Sequence, residues 1–228
     1  MPSALPGPYP PAAATLLAHD LSVSFHGRTV LRVPDFKVNP GEVWHVTGAN
    51  GAGKTTLLRA LSGELAHGGR VTVCGAAPAT VQARRARLLV PTEADLVPDL
   101  SAWESLQFMA AAWSRDPAPL LALAHAFGLE PFLDAWPEDL SRGTRQKVAL
   151  SAALGLALPL TLLDEPFATL DARSRTVLLG AVRERAQAGG AVIVTTHGDE
   201  LSGLSVRTLE LDAVPAEGNR TCWGPSDA

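Results

Sequence analysis

Residues 42–56 read EVWHVTGANGAGKTT: a short β-rich run, a glycine cluster, then the start of a helical pattern. The cluster GANGAGKT, Gly48 to Thr55, fits the spacing G-x-x-x-x-G-K-[ST]. Glycines at Gly48, Gly51 and Gly53 let backbone N–H groups turn inward toward an anion. The helix that follows adds partial positive charge at the same place. Lys54 then reaches the β- and γ-phosphates of ATP, and the Thr55 hydroxyl a Mg²⁺ ion. Asn50, Ala52 and Thr56 complete the expected cradle. The bland alternative is a glycine-rich turn between a strand and a helix. The chain holds only three lysines, Lys37, Lys54 and Lys147, so a lysine inside the motif stands out from background.

Outward from this loop, strands and helices alternate. Strands are expected at residues 16–25, 29–32, 42–47, 70–74, 88–90, 160–163, 191–195 and 207–211. A helix begins at Lys54 and stops at Gly63. Ser101 can N-cap a helix, with Glu104 three residues on as in a capping box, and a second helix spans residues 119–127. Further helices are expected near residues 144–158 and 172–187. Such alternation predicts an α/β core with a largely parallel sheet, interrupted by an all-helical insertion at residues 93–136.

Two more strand ends carry chemistry. PLTLLDEP places Asp164 and Glu165 after an apolar run. Beside a phosphate loop, Asp164 is placed to hold Mg²⁺ and Glu165 to act as general base on the attacking water. Two carboxylates capping a strand-to-helix turn are the plain alternative. AVIVTTHG repeats the layout, and His197 can hydrogen-bond a γ-phosphate and orient the water.

Composition excludes several classes. Of 228 residues, 46 % are hydrophobic and 18 % charged, which suits a globular chain with a sizeable core. A formal net charge of −4 leaves no global basic field for nucleic acid. The cluster Arg84, Arg85, Arg87 reads as a solvated helix face rather than an RNA contact. Cys74 and Cys222 are too few for a disulfide framework and read as free thiols in a reducing compartment. The opening MPSALPGPYPPAAA lacks a basic n-region and an unbroken apolar run, so a disordered lead-in is expected, and a mobile tail from residue 214. VALSAALGLALPLTLL, residues 148–163, is too short to span a membrane and is interrupted by Pro159.

Leu140-Ser141-Arg142-Gly143-Thr144 resembles the signature sequence LSGGQ of ABC-type ATPases. Its bland counterpart is a helix start capped by Ser141. The order of phosphate loop, helical insertion, signature, acidic strand and histidine carries the resemblance across residues 16–211. It implies a P-loop NTPase core with an antiparallel β-subdomain on the N-terminal side, within a domain at residues 15–213. The inserted helical subdomain would span about residues 93–139 and dock on a membrane partner. Phe25 sits where an aromatic stacks on adenine, with His26 as the neighbouring alternative and a core position as the plain one. Ser141 and Gly143 would contact the γ-phosphate held by a facing copy or sister subunit. Asp171 would lie in the loop crossing that interface, and His197 would be the switch histidine.

Two departures from the family pattern stand out. Thr92, followed by Glu93, replaces a glutamine that normally helps to ligate Mg²⁺. Its shorter side chain puts Mg²⁺ contact and coupling in question. Arg142 and Thr144 replace the usual glycine and glutamine of the signature, and a working signature is still expected.

The resemblance implies the ATP-binding subunit of a transporter on the cytoplasmic face of a membrane. Its membrane-spanning subunits would be separate chains, and two nucleotide-binding subunits, identical or not, would pair around ATP. The alternative is an ABC ATPase without a transport role, such as a cluster-assembly ATPase. A third reading, a module that binds nucleotide without turnover, is opposed by Glu165 and His197 and kept open by Thr92.

Overall fold

The computed structural model describes residues 14–212. Except for Ala14, which is buried, the expected lead-in and tail lie outside them, as does Cys222.

The N-terminal sheet is antiparallel. Strand β1 (Leu16–Phe25) pairs with β2 (Arg28–Arg32), β3 (Phe36–Val38) and β5 (Gly68–Val73). The turn at His26 and Gly27 takes positive φ, as a tight hairpin requires. The second sheet contains β4 (Val43–Gly48), β6 (Arg87–Val90), β7 (Leu160–Asp164), β8 (Ala191–Thr195) and β9 (Val206–Leu211). Its order is β6-β7-β8-β4-β9, and every pairing is parallel. The expected α/β fold with a parallel sheet and an antiparallel N-terminal part is therefore present.

Burial on both faces explains why the central strands read as unbroken apolar runs. Leu160, Leu162, Ala191 and Ile193 pack with the antiparallel sheet and helix α1 (Lys54–Leu61). Leu163, Val192 and Val194 face the opposite core, among α3 (Ala102–Ala112), α4 (Ala118–Ala126), α5 (Arg142–Gly155) and α6 (Ala172–Gln187). Leu160, Leu162 and Leu163 are fully buried. Each contributes on the order of 2 kcal/mol. That holds the polar end of β7 rigidly in place.

Helix α3 carries the expected capping box, with Ser101 accepting from the Glu104 N–H and the Glu104 carboxylate accepting from the Ser101 N–H. Two elements went unread in the sequence: β3, with three residues, and α2 (Val81–Arg85), with five. Both are too short to establish a period.

One expectation is corrected. Arg87 does not lie on a solvated helix face. It opens β6, is 5 % exposed, and donates to the carbonyls of Ser62 and of Pro78, the latter at 2.8 Å. Burial, then repulsion from Arg84, lowers its guanidinium to about 10. Through Nη2 it ties the end of α1 to the loop between β5 and α2.

Candidate functional site

In a parallel sheet all strands end on the same edge, where ligands gather. Here Gly48, Asp164 and Thr195 end β4, β7 and β8, with Asp164 in register with Thr195 and Val46 in register with Thr195. The phosphate loop, the acidic pair and the histidine therefore meet although they lie far apart along the chain.

The loop from Gly48 to Gly53 turns through positive φ at Gly48, Gly51 and Gly53. Gly53 is at φ +96°, and a Cβ there would lie 3.1 Å from Leu31 Cδ1. Leu31 thus lays the β1–β2 hairpin against the loop, with Phe25, 45 % exposed, at the end of that hairpin. Lys54 is buried, and its Nζ donates to the carbonyls of Gly48 (2.9 Å) and Ala49 (3.4 Å). Among the described residues it forms no ion pair with a carboxylate, so its charge is available to an anion.

Asp164 is 2 % exposed and accepts from three hydroxyls. Thr55 Oγ1 (2.8 Å) and Thr92 Oγ1 (3.1 Å) donate to its Oδ2, and Thr195 Oγ1 (2.7 Å) to its Oδ1. A carboxylate that accepts from three hydroxyls, and that forms no ion pair among the described residues, suits a hard divalent ion that prefers oxygen ligands. Thr92 is where it is because Val90 is in register with Leu163, which brings the residues after β6 beside Asp164.

Glu165 follows at φ +49°, an unusual conformation for a residue other than glycine. Its N–H is shared between Thr195 Oγ1 (2.8 Å) and the Thr195 carbonyl (3.2 Å). Its carboxylate lies 2.8 Å from His197 Nε2, and His197 Nδ1 lies 3.5 Å from Lys54 Nζ. A neutral imidazole protonated at Nε2 satisfies both contacts: Nε2–H donates to Glu165, and Nδ1 accepts from Lys54.

Ser141 N-caps α5 by accepting from the Thr144 N–H at 3.1 Å. A Cβ on Gly143 would come within 2.9 Å of the Thr169 carbonyl, so only glycine lets the start of α5 sit this close. Asp171 caps α6 through the Ser174 N–H (2.8 Å) and accepts from Lys147 Nζ (2.9 Å). The Ser174 N–H first, then Lys147, hold its carboxyl well below the usual range. Among the described residues no hydrogen bond or ion pair joins Ser141, Gly143 or Asp171 to residues 48–56.

The sequence profile of the ABC transporter family matches residues 31–168. The chain belongs to this family. It is 37 % identical over 189 residues to the cytochrome c biogenesis ATP-binding export protein CcmA of Xanthomonas axonopodis pv. citri, covering 82 % of this chain and 88 % of that one. It is 39 % identical over 191 residues to the aliphatic sulfonates import ATP-binding protein SsuB 3 of Nocardia farcinica, covering 82 % and 73 %. A solved structure of an ATP-binding subunit of an ABC transporter superposes with a TM-score of 0.76 at 31 % identity, covering 80 % and 79 %.

This ABC transporter protein is thus an ATP-binding, ATP-hydrolysing component of a transporter. An export protein and an import protein match it almost equally. The matched region handles nucleotide, a task common to both directions. Two features of this ABC ATPase escaped sequence reading. Thr195 holds Oδ1 of Asp164, and its signal was a threonine in register with the acidic strand end. Glu93 pairs with Arg142 at 2.6 Å instead of joining the oxygen cluster around Asp164.

Proposed function

We propose that this chain powers transport through separate membrane-spanning subunits, working peripherally on the cytoplasmic face of the membrane with ATP and Mg²⁺. The carrying observation is the convergence of Lys54, Asp164, Glu165 and His197 on one sheet edge, with Thr55 and Thr92 bonded to Asp164. Phe25 stacks on adenine. Asn50, Ala52 and Thr56, with the loop glycines, wrap the phosphates, and Lys54 exchanges loop carbonyls for phosphate oxygens. Thr55 and Asp164 would hold Mg²⁺, which would supply positive charge to offset that of the phosphates. Glu165 accepts a proton from the attacking water, and His197 orients that water and the γ-phosphate.

The signature residues lie apart from the phosphate loop of their own chain. Ser141 and Gly143 complete the site of a facing subunit, identical or related, and Asp171 lies at that interface. Closure on ATP and reopening after hydrolysis pass motion to the membrane subunits through the helical block. No helix among the described residues is long and apolar enough to cross a membrane. The names of the relatives, one an export and one an import ATP-binding protein, support a transport role.

Gel filtration of Glu165→Gln with ATP and Mg²⁺ tests the sandwich. A dimer is expected, dissolving when nucleotide is removed. A monomer under both conditions overturns it.

A further inference from the structure

Three consecutive residues after β6 are gripped from two sides. Pro91 offers its carbonyl to Gln146 Nε2 at 3.2 Å. The Thr92 hydroxyl reaches Asp164 at 3.1 Å. Glu93 pairs with Arg142 at 2.6 Å. The middle contact belongs to the acidic end of β7, and the two flanking contacts belong to α5. Arg142 and Gln146 are four residues apart on that helix, so they present one face a single turn apart.

Gln146 is not there for packing. It is 1 % exposed, and its Oε1 has no partner among the described residues. A buried amide whose oxygen is left unpaired is unfavourable relative to an apolar side chain of similar size. The bond to Pro91 is what the glutamine adds over methionine or leucine. Glu93 and Arg142 are 70 % and 59 % exposed in their side chains, so their pair adds little to stability. It does fix which way the chain leaves Thr92.

We propose that Gln146 and Arg142 are positioning residues for the metal-binding carboxylate. By holding the chain on either side of Thr92, the signature helix sets where the Thr92 hydroxyl meets Asp164. This rests on Asp164 serving as the metal carboxylate.

Mn²⁺ binding to the full chain with ADP, followed by electron paramagnetic resonance, tests it alongside thermal midpoints. Thr92→Val is expected to weaken Mn²⁺ binding about tenfold, and Gln146→Met and Glu93→Gln each about fivefold. Combining Thr92→Val with Gln146→Met should weaken it no further than Thr92→Val alone, because both act through one hydroxyl. The exchange Glu93→Arg with Arg142→Glu should restore most of the loss seen in either single variant. Additive losses, unchanged binding in Gln146→Met, or no rescue by the exchange would each overturn the proposal. Should Gln146→Met not fold, Glu93→Gln and Arg142→Gln at exposed positions decide the matter by the same measurement. Asp164→Asn separates the two levels. If it leaves Mn²⁺ affinity unchanged, the metal assignment fails and the proposal with it. If it weakens binding while the α5 variants do not, only the positioning role fails.

Discussion

The Glu165 carboxylate lies 2.8 Å from Nε2 of His197, each residue just beyond a strand end where Asp164 is paired with Thr195. The imidazole thereby bridges the general base and Lys54. His197→Ala should lower ATP turnover by about two orders of magnitude, within the range for a positioned acid–base group. Nucleotide affinity should stay within about twofold, because the loop glycines remain and Lys54 keeps its bonds to the Gly48 and Ala49 carbonyls. Steady-state hydrolysis with a fluorescent-nucleotide titration checks this, and an equal loss of affinity and turnover would contradict it.

Glu165 holds φ +49° because two contacts from Thr195 pin its N–H. Glu165→Gly relieves about 1 kcal/mol of backbone strain and adds about as much unfolded-state entropy. Turnover should fall at least about a hundredfold while unfolding free energy changes by less than about 1 kcal/mol. Denaturant titration checks the second half. A large destabilisation would mean that the carboxylate, not the backbone, anchors this turn.

Gly143 allows the signature helix to approach the Thr169 carbonyl to a distance that a Cβ would bring to 2.9 Å. Since the obstacle is backbone, Gly143→Ala must shift the start of α5, at a cost of about 1–3 kcal/mol. Hydrolysis should fall about tenfold or more, with ATP binding by the isolated chain retained. Loss of binding in the isolated chain would place Gly143 in its own nucleotide site.

Glu42 sets an acid limit on stability. Burial pushes its carboxyl up, but the Asn39 N–H, the Trp44 indole, the Asn39 amide and Arg207 outweigh burial and leave it at about 2. Because the folded value lies below the ordinary one, the stabilisation is complete above about pH 4.5 and is lost as pH falls toward 2. The difference corresponds to about 3 kcal/mol, and the side chain is only 22 % exposed. Between pH 5 and pH 3 the wild type should therefore lose more stability than Glu42→Gln. Parallel stability curves would refute this.

Much of the site was legible because its signals are local. The spacing of Gly48, Gly53, Lys54 and Thr55 encodes an anion cradle within eight residues. Asp164 and Glu165 announced themselves by following an apolar run, and Ser101 with Glu104 by the spacing of a capping box. Arg87 was misread because charge within a basic run looks solvated, whereas the carbonyls of Ser62 and Pro78 that receive it are distant in sequence.

The sequence by itself determined the parts: the phosphate loop, the acidic and histidine strand ends, the signature, and the alternation that demands a parallel sheet. Tertiary structure alone decided their company. The order β6-β7-β8-β4-β9 brings Thr92 and Thr195 to opposite oxygens of Asp164, and the approach of α5 gives Pro91 and Glu93 their partners. Strand order and helix docking follow from burying both faces of one sheet at once, and that is a property of the whole chain which no local spacing contains.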